Sequence, residues 1–288
     1  MNYFKTFLLM TLLTVVLIAA GGVLGGTQGM IIALIFAAIM NIGTYWFSDK
    51  MVLSMYHAIP VTEGEQPELY SIVRNLAVRG NIPMPKVYIV DEDTPNAFAT
   101  GRNPQHAAVC VTTGIMRILN NNELSGVIGH ELTHVKNRDI LISSIAATVA
   151  GAISMLAWMA EWGAMFTGFG GREGDREGNI VGLIIMAIIA PLIATLIQLA
   201  ISRQREYAAD KGGAMLSGNP LYLASALNKL EAGNEKEPMP ANQMTHATAH
   251  MFIVNPLRSG VFKSLFSTHP ATEDRIERLK EMARGAGR

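Results

Sequence analysis

Gly126-Val127-Ile128-Gly129-His130-Glu131-Leu132-Thr133-His134-Val135 is the stretch on which the reading of this chain turns. Two histidines four apart on a helix overshoot a full turn by only about 40°, so both imidazoles leave from one face. They can converge on a single metal ion, and the pairing suits zinc. Glu131 stands one step round the helix from His130. From there its carboxylate reaches a water at the metal without ligating it, the arrangement needed to hydrolyse a peptide bond. Asn120, Asn121 and Asn122 offer N-cap side chains just ahead. Leu124, Val127, Ile128, Leu132 and Val135 recur at helical spacing, which predicts a helix through the motif. Gly126 and Gly129 each weaken that helix by about 1 kcal/mol relative to alanine. Their small size makes sense if another segment packs close to the metal-bearing turn.

A catalytic zinc usually has three protein ligands and one open position, so a third group must come from elsewhere. The favoured candidate is Glu206, in Ser202-Arg203-Gln204-Arg205-Glu206-Tyr207-Ala208-Ala209-Asp210. Glu206 and Asp210 share a helical face, and Ala208 and Ala209 allow a close helix–helix approach. Glu206 would ligate the metal while Asp210 orients a ligand histidine through a hydrogen bond. The same stretch, with Arg203, Arg205 and Lys211, also reads as an ordinary solvated end of a charged helix.

Working outward, half of the 288 residues are hydrophobic and 16% are charged; mean hydropathy is +0.27. That is too apolar for an ordinary soluble chain and points to a lipid bilayer. Formal net charge is zero and no basic patch stands out, so nucleic acid is not an expected partner. The lone Cys110 cannot form an internal disulfide and reads as core. Apolar stretches run roughly over 7–24, 30–47, 140–159 and 180–201, each about the 20 residues needed to span a membrane. Gly25-Gly26-Thr27-Gln28-Gly29 joins the first two and permits only a tight hairpin. Pro191, Gln198 and the glycines of the third and fourth would also suit buried core helices. Lysines and arginines concentrate in 49–139 and after Ser202, which places both on the cytoplasmic side.

Four parts are therefore expected: a transmembrane hairpin (1–48), a cytoplasmic part with a small sheet and the metal helix (49–139), a second hairpin (140–201), and a helical part carrying the third ligand (202–288). The fold class is a mainly α membrane protein, with four transmembrane helices in two hairpins and a cytoplasmic α+β zincin-like domain. No proline or glycine interrupts the chain between His134 and Gly151. The metal helix is thus expected to run on into the third span. In the soluble part, Pro67 starts a helix with Leu69, Ile72, Val73 and Leu76 on one face and Gly80-Asn81 as its stop. Strands are expected over 86–90, 97–100 and 107–112, with a turn at Asn103-Pro104. A helix follows from about Pro220 to Glu231, then a loop to about Ala249, then a last helix from Pro270 with Ile276, Leu279 and Met282 turned inward. His57, His106, His246 and His250 read as structural or exposed.

Gly129-His130-Glu131-Leu132-Thr133-His134 followed by Glu206-x-x-x-Asp210 resembles the integral-membrane zinc metalloproteases of the HtpX type, gluzincins related to the CaaX prenyl endopeptidases. Asn96-Ala97-Phe98, Ser267-Thr268-His269-Pro270 and Arg275 extend the likeness over most of the chain. The resemblance implies Glu206 as third ligand beside His130 and His134, one zinc per subunit, and Glu131 as the catalytic base. It implies that His269 stabilises the oxyanion, held by Arg275. The strand with Asn96, Ala97 and Phe98 would be an edge that pairs with extended polypeptide backbone, a grip indifferent to sequence. The expected role is quality control under stress, cutting misfolded or damaged membrane proteins at the cytoplasmic face of a bacterial inner membrane. Two alternatives stay open: processing of lipidated C-termini, and a zinc-stabilised membrane scaffold that binds without cutting.

Overall fold

The helix that carries His130 and His134, capped at both ends, packs against both a four-stranded sheet and the helix that carries Glu206. The computed structural model describes residues 2–148, 203–239, 245, 248–254 and 270–285. Most of the third expected span, all of the fourth, and His269 lie outside the described residues.

α1 is helical over Asn2–Met55, yet it is not one straight rod. Asn41 donates through Nδ2 to Thr14 Oγ1 at 2.8 Å, although 27 residues of straight helix would hold them about 40 Å apart. The path reverses at Gly26, whose φ of +57° is a left-handed conformation that glycine adopts freely. Two helical arms therefore lie side by side, as the glycine cluster predicted. By length and composition the arm Gly26–Met55 is apolar enough to cross a membrane. Ile32, Ile35, Phe36, Ile39 and Ile42 are exposed along it. The arm runs to Met55, beyond the limit at 48 expected for the first hairpin.

The sheet has the order β1-β2-β4-β3, from β1 (Ile59–Pro60), β2 (Lys86–Val90), β3 (Ala97–Gly101) and β4 (Ala107–Thr112). β2 and β4 are parallel, and the outer pairs are antiparallel. The short β1 was not legible in the sequence. Between β3 and β4 the Asn103 side chain caps a single helical turn at Pro104–His106. α2 (Pro67–Gly80) buries Leu69, Val73, Leu76 and Ala77 and stops at Asn81 in the left-handed region. α3 (Thr113–Ile118) is a further short helix after β4.

α4 (Asn121–Lys136) carries the motif. Asn120 is its N-cap, and Glu123 returns the bond in a reciprocal capping box. Lys229 and Ser225 hold the Glu123 carboxylate from the far side, both at 2.7 Å. α4 does not run on into the next apolar stretch as expected. It ends at Lys136, Arg138 takes φ +60°, and a new helical run occupies residues 140–148.

α5 (Arg203–Ser217), α6 (Pro220–Lys236) and α7 (Thr272–Gly285) follow, with a single helical turn at Ala249–Met251 between the last two. α6 extends five residues past Glu231 into the expected loop. Leu279 of α7 is buried, with Ile276 and Met282 packed against the same core as Val127, Ile128 and Leu132. Cys110 is fully buried beside Phe98 and Phe252.

Candidate metal centre

α4 and α5 meet where neither carries a side chain to hold them apart. A Cβ placed on Gly213 would stand 2.6 Å from the His130 backbone nitrogen. One on Gly129 would stand 3.0 Å from the Gly213 carbonyl oxygen. Gly126 does the same work against α6, where a Cβ would fall 2.6 Å from the Leu223 nitrogen. This contact brings Glu206 to the histidines.

His130 Nε2 and His134 Nε2 lie 3.2 Å apart. Glu206 presents Oε2 at 3.7 Å from the first and Oε1 at 3.5 Å from the second. Ligands at 2.0–2.2 Å around a tetrahedral zinc stand about 3.3–3.6 Å from one another, so these three groups fit that ion. Among the described residues, these three side chains are the group placed closely enough to hold a metal ion. His130 and Glu206 are buried, and the His134 side chain is 16% exposed.

The second layer is built from carboxylates. Asp210 Oδ1 lies 2.9 Å from His130 Nδ1. Arg275 donates to Asp210 through Nε at 2.9 Å and Nη2 at 2.7 Å, and through Nη1 to the Ile253 carbonyl at 2.7 Å. Arg275 is 1% exposed, so its charge depends on those partners. It is linked to His130 through Asp210. On the other histidine, Asp139 Oδ2 lies 3.2 Å from His134 Nδ1, and Arg205 stands 3.6 Å from Asp139 Oδ1. Sequence reasoning missed Asp139 and Arg205. In a continuous helix Asp139 would lie well off the His134 face, and only the break at Arg138 brings it round.

Burial pushes the His130 pKa down to about 4, against the pull of Asp210. Burial opposes charge on His134 too, but Glu206, Asp139 and Glu131 outweigh it and lift the value to about 9. Burial raises Glu131 to about 8, with Glu206 adding to the shift while His134 and the Ala99 backbone oppose it. Asp210, though buried, is held well below the usual carboxylate range by Arg275 and His130.

A cavity of about 30 Å³ opens onto His130, Glu131, His134 and Glu206. It holds little more than a water. His250, Met251, Phe252 and Ile253 also line it, so His250, read as structural or exposed from the sequence, belongs to this site. β3 is an edge strand of the sheet, and its outer edge is engaged inside the molecule. Ile253 N–H donates to the Ala97 carbonyl at 3.3 Å, and Asn96 Nδ2 donates to the Val254 carbonyl at 2.9 Å. Glu131 accepts from the Ala99 backbone, and Gly101 N–H reaches Ser144 Oγ at 3.4 Å. Phe98 turns away into a ring cluster with Tyr56 and Phe252 at 5.2–5.6 Å.

Residues 63–283 match the family described as Peptidase family M48. The chain is 59% identical over 282 residues to a protein named Protease HtpX homolog from Syntrophotalea carbinolica, covering 98% of this chain and 99% of that protein. It is 59% identical over 284 residues to the protein of the same name from Thermodesulfovibrio yellowstonii, covering 99% of each. A third of that name, from Burkholderia ambifaria, is 56% identical over 283 residues, covering 98% of each. Among solved structures, a crystal structure of S. mikatae Ste24p superposes with a TM-score of 0.50 at 16% identity, over 92% of this chain. The chain spans 62% of that protein's length, and the likeness is one of fold.

Proposed function

The chain belongs to peptidase family M48, and from that premise we propose that it cuts misfolded or damaged membrane proteins at the cytoplasmic face of a bacterial inner membrane. It is a membrane-bound zinc metalloprotease. The observation that carries the activity is the convergence of His130, His134 and Glu206 with the buried Glu131 beside them. Zinc, when bound by these three residues, supplies a Lewis acid that polarises the scissile carbonyl and lowers the pKa of a water to about 7.

The chain's own residues do the rest. Glu131 takes the proton from the attacking water and passes it to the departing amine. A carboxyl raised toward neutrality is suited to both transfers, because it holds and releases a proton within the working pH range. Asp210 and Arg275 keep His130 oriented. Water is the nucleophile, so no side chain need bond to the substrate. His269, outside the described residues, is proposed to steady the negative charge of the tetrahedral intermediate.

Substrate backbone is proposed to pair with the outer edge of β3 at Asn96, Ala97 and Phe98. That edge carries Ile253 and Val254 in the structure, so pairing requires residues 250–254 to move aside. A membrane-side setting is supported by the exposed apolar arm of α1. Arg102, at the end of β3, lies over the Trp46 ring at 4.6 Å. An indole and a guanidinium paired near the end of an apolar helix suit a bilayer surface.

Glu131→Gln should retain zinc and lose nearly all cleavage of casein or of a membrane-protein substrate. Cleavage by that variant at the parental rate would remove Glu131 from the mechanism. Substrates with and without a prenylated C-terminus then test the substrate class, since preference for the prenylated form contradicts the quality-control reading.

A further inference from the structure

We propose that Asp139 is a positioning residue for His134, held in place by Arg205. The inference rests on the zinc-protease reading above. Asp210 and Arg275 already form a cation–carboxylate–imidazole chain ending on His130. Arg205, Asp139 and His134 repeat it on the other ligand, with separations of 3.6 Å and 3.2 Å. In both chains the carboxylate faces Nδ1 and leaves Nε2 toward the shared point. A carboxylate on Nδ1–H selects the tautomer whose Nε2 lone pair is free for a metal, and it makes that nitrogen a better donor.

The backbone is bent to achieve this. Asp139 is 4% exposed and follows Arg138, a non-glycine residue at φ +60°. Its N–H returns to the His134 carbonyl at 2.9 Å. The turn thus folds Asp139 back beneath the ligand it serves. An unpaired carboxylate buried there would be costly, and Arg205 is the cation that meets it. Arg205 is also the residue immediately before Glu206. The second chain therefore fastens the end of α4 to the start of α5, joining one ligand helix to the other. In sequence, those two points flank residues 140–201, the expected second hairpin.

The test uses full-length protein in detergent, carrying Glu131→Gln so that it does not cut itself. Zinc affinity is measured by chelator competition, and ligand geometry by the visible spectrum after cobalt replacement. Adding Asp139→Asn should weaken zinc binding by about 10–100-fold and shift the cobalt spectrum. Asp139→Glu should recover part of the loss, and Arg205→Met should give a smaller one. Unchanged affinity and spectrum in Asp139→Asn overturn the positioning role. So does a lower metal-free Tm with an unchanged spectrum, which is the mark of a packing residue. A parent chain that binds no zinc, or still binds it after His130→Ala, overturns the protease reading instead.

Discussion

His134 and Glu131 share one pocket with Glu206, and their protons report its charge. Without a bound cation, the neighbouring carboxylates Glu206, Asp139 and Glu131 hold the His134 pKa up at about 9 against burial, and burial lifts that of Glu131 to about 8. At neutral pH the site therefore holds protons that a divalent cation must displace, because a ligand imidazole has to be neutral. The sign follows: a raised histidine pKa favours the metal-free form below it, so zinc affinity rises with pH until about pH 9. Calorimetry in two buffers of different ionisation enthalpy should find about one to two protons released per zinc near pH 7. Release close to zero would mean that His134 is already neutral. His130, lowered to about 4, contributes no proton at that pH. Asp210 works in the opposite sense. Its depressed pKa adds stability that is complete above the ordinary carboxylate range and is lost as pH falls from that range through the depressed value.

α4 and α5 owe their spacing to glycine, and the segment 250–254 owes its place to an unfilled strand edge. Gly213→Ala would drive a methyl into the His130 backbone at 2.6 Å. Overpacking of this kind costs about 1–3 kcal/mol. Because the same contact sets the Glu206–histidine distances, zinc affinity should fall with Tm. Gly43→Ala, with nothing within 4 Å of the new carbon, should leave both unchanged. At the sheet, Ile253→Pro removes the N–H that donates to Ala97. If the segment blocks the edge, cleavage of an unfolded substrate should rise several-fold while stability falls by about 1 kcal/mol. A rate that drops with the stability would make the segment a wall of the substrate groove instead. Arg275 holds the Ile253 carbonyl, so the position of this segment and the orientation of His130 pass through one guanidinium.

As a whole, the molecule places an apolar hairpin beside a polar hydrolytic site, and they meet at Tyr56. Its ring closes the cluster with Phe98 of β3 and Phe252 of the wall segment, and its hydroxyl meets Thr248. The end of the apolar arm is thereby in contact with the strand edge proposed for substrate. The proposed orientation has a direct check. In a Cys110→Ser background, a cysteine at Glu65 or Arg74, both exposed, should react with a membrane-impermeant maleimide only after the inner membrane is opened. Labelling of intact spheroplasts would place the catalytic part outside.

The metal helix, its two histidines and the Glu131 beside them were legible from five residues, because helical periodicity fixes which side chains share a face. The bend between the first two apolar stretches was legible too, since glycine at Gly26 permits a reversal that other residues resist. The approach of Glu206 to the histidines was reachable only with help from resemblance, because 72 positions separate it from His134 and no local pattern encodes that approach. Asp139, Arg205 and the wall from His250 to Ile253 were not legible at all. Their roles depend on where a helix breaks and on which segment reaches an open strand edge, and long-range packing settles both. Local sequence sets the chemistry a residue can offer and the face from which it is offered; close contact between distant helices decides which of those offers meet.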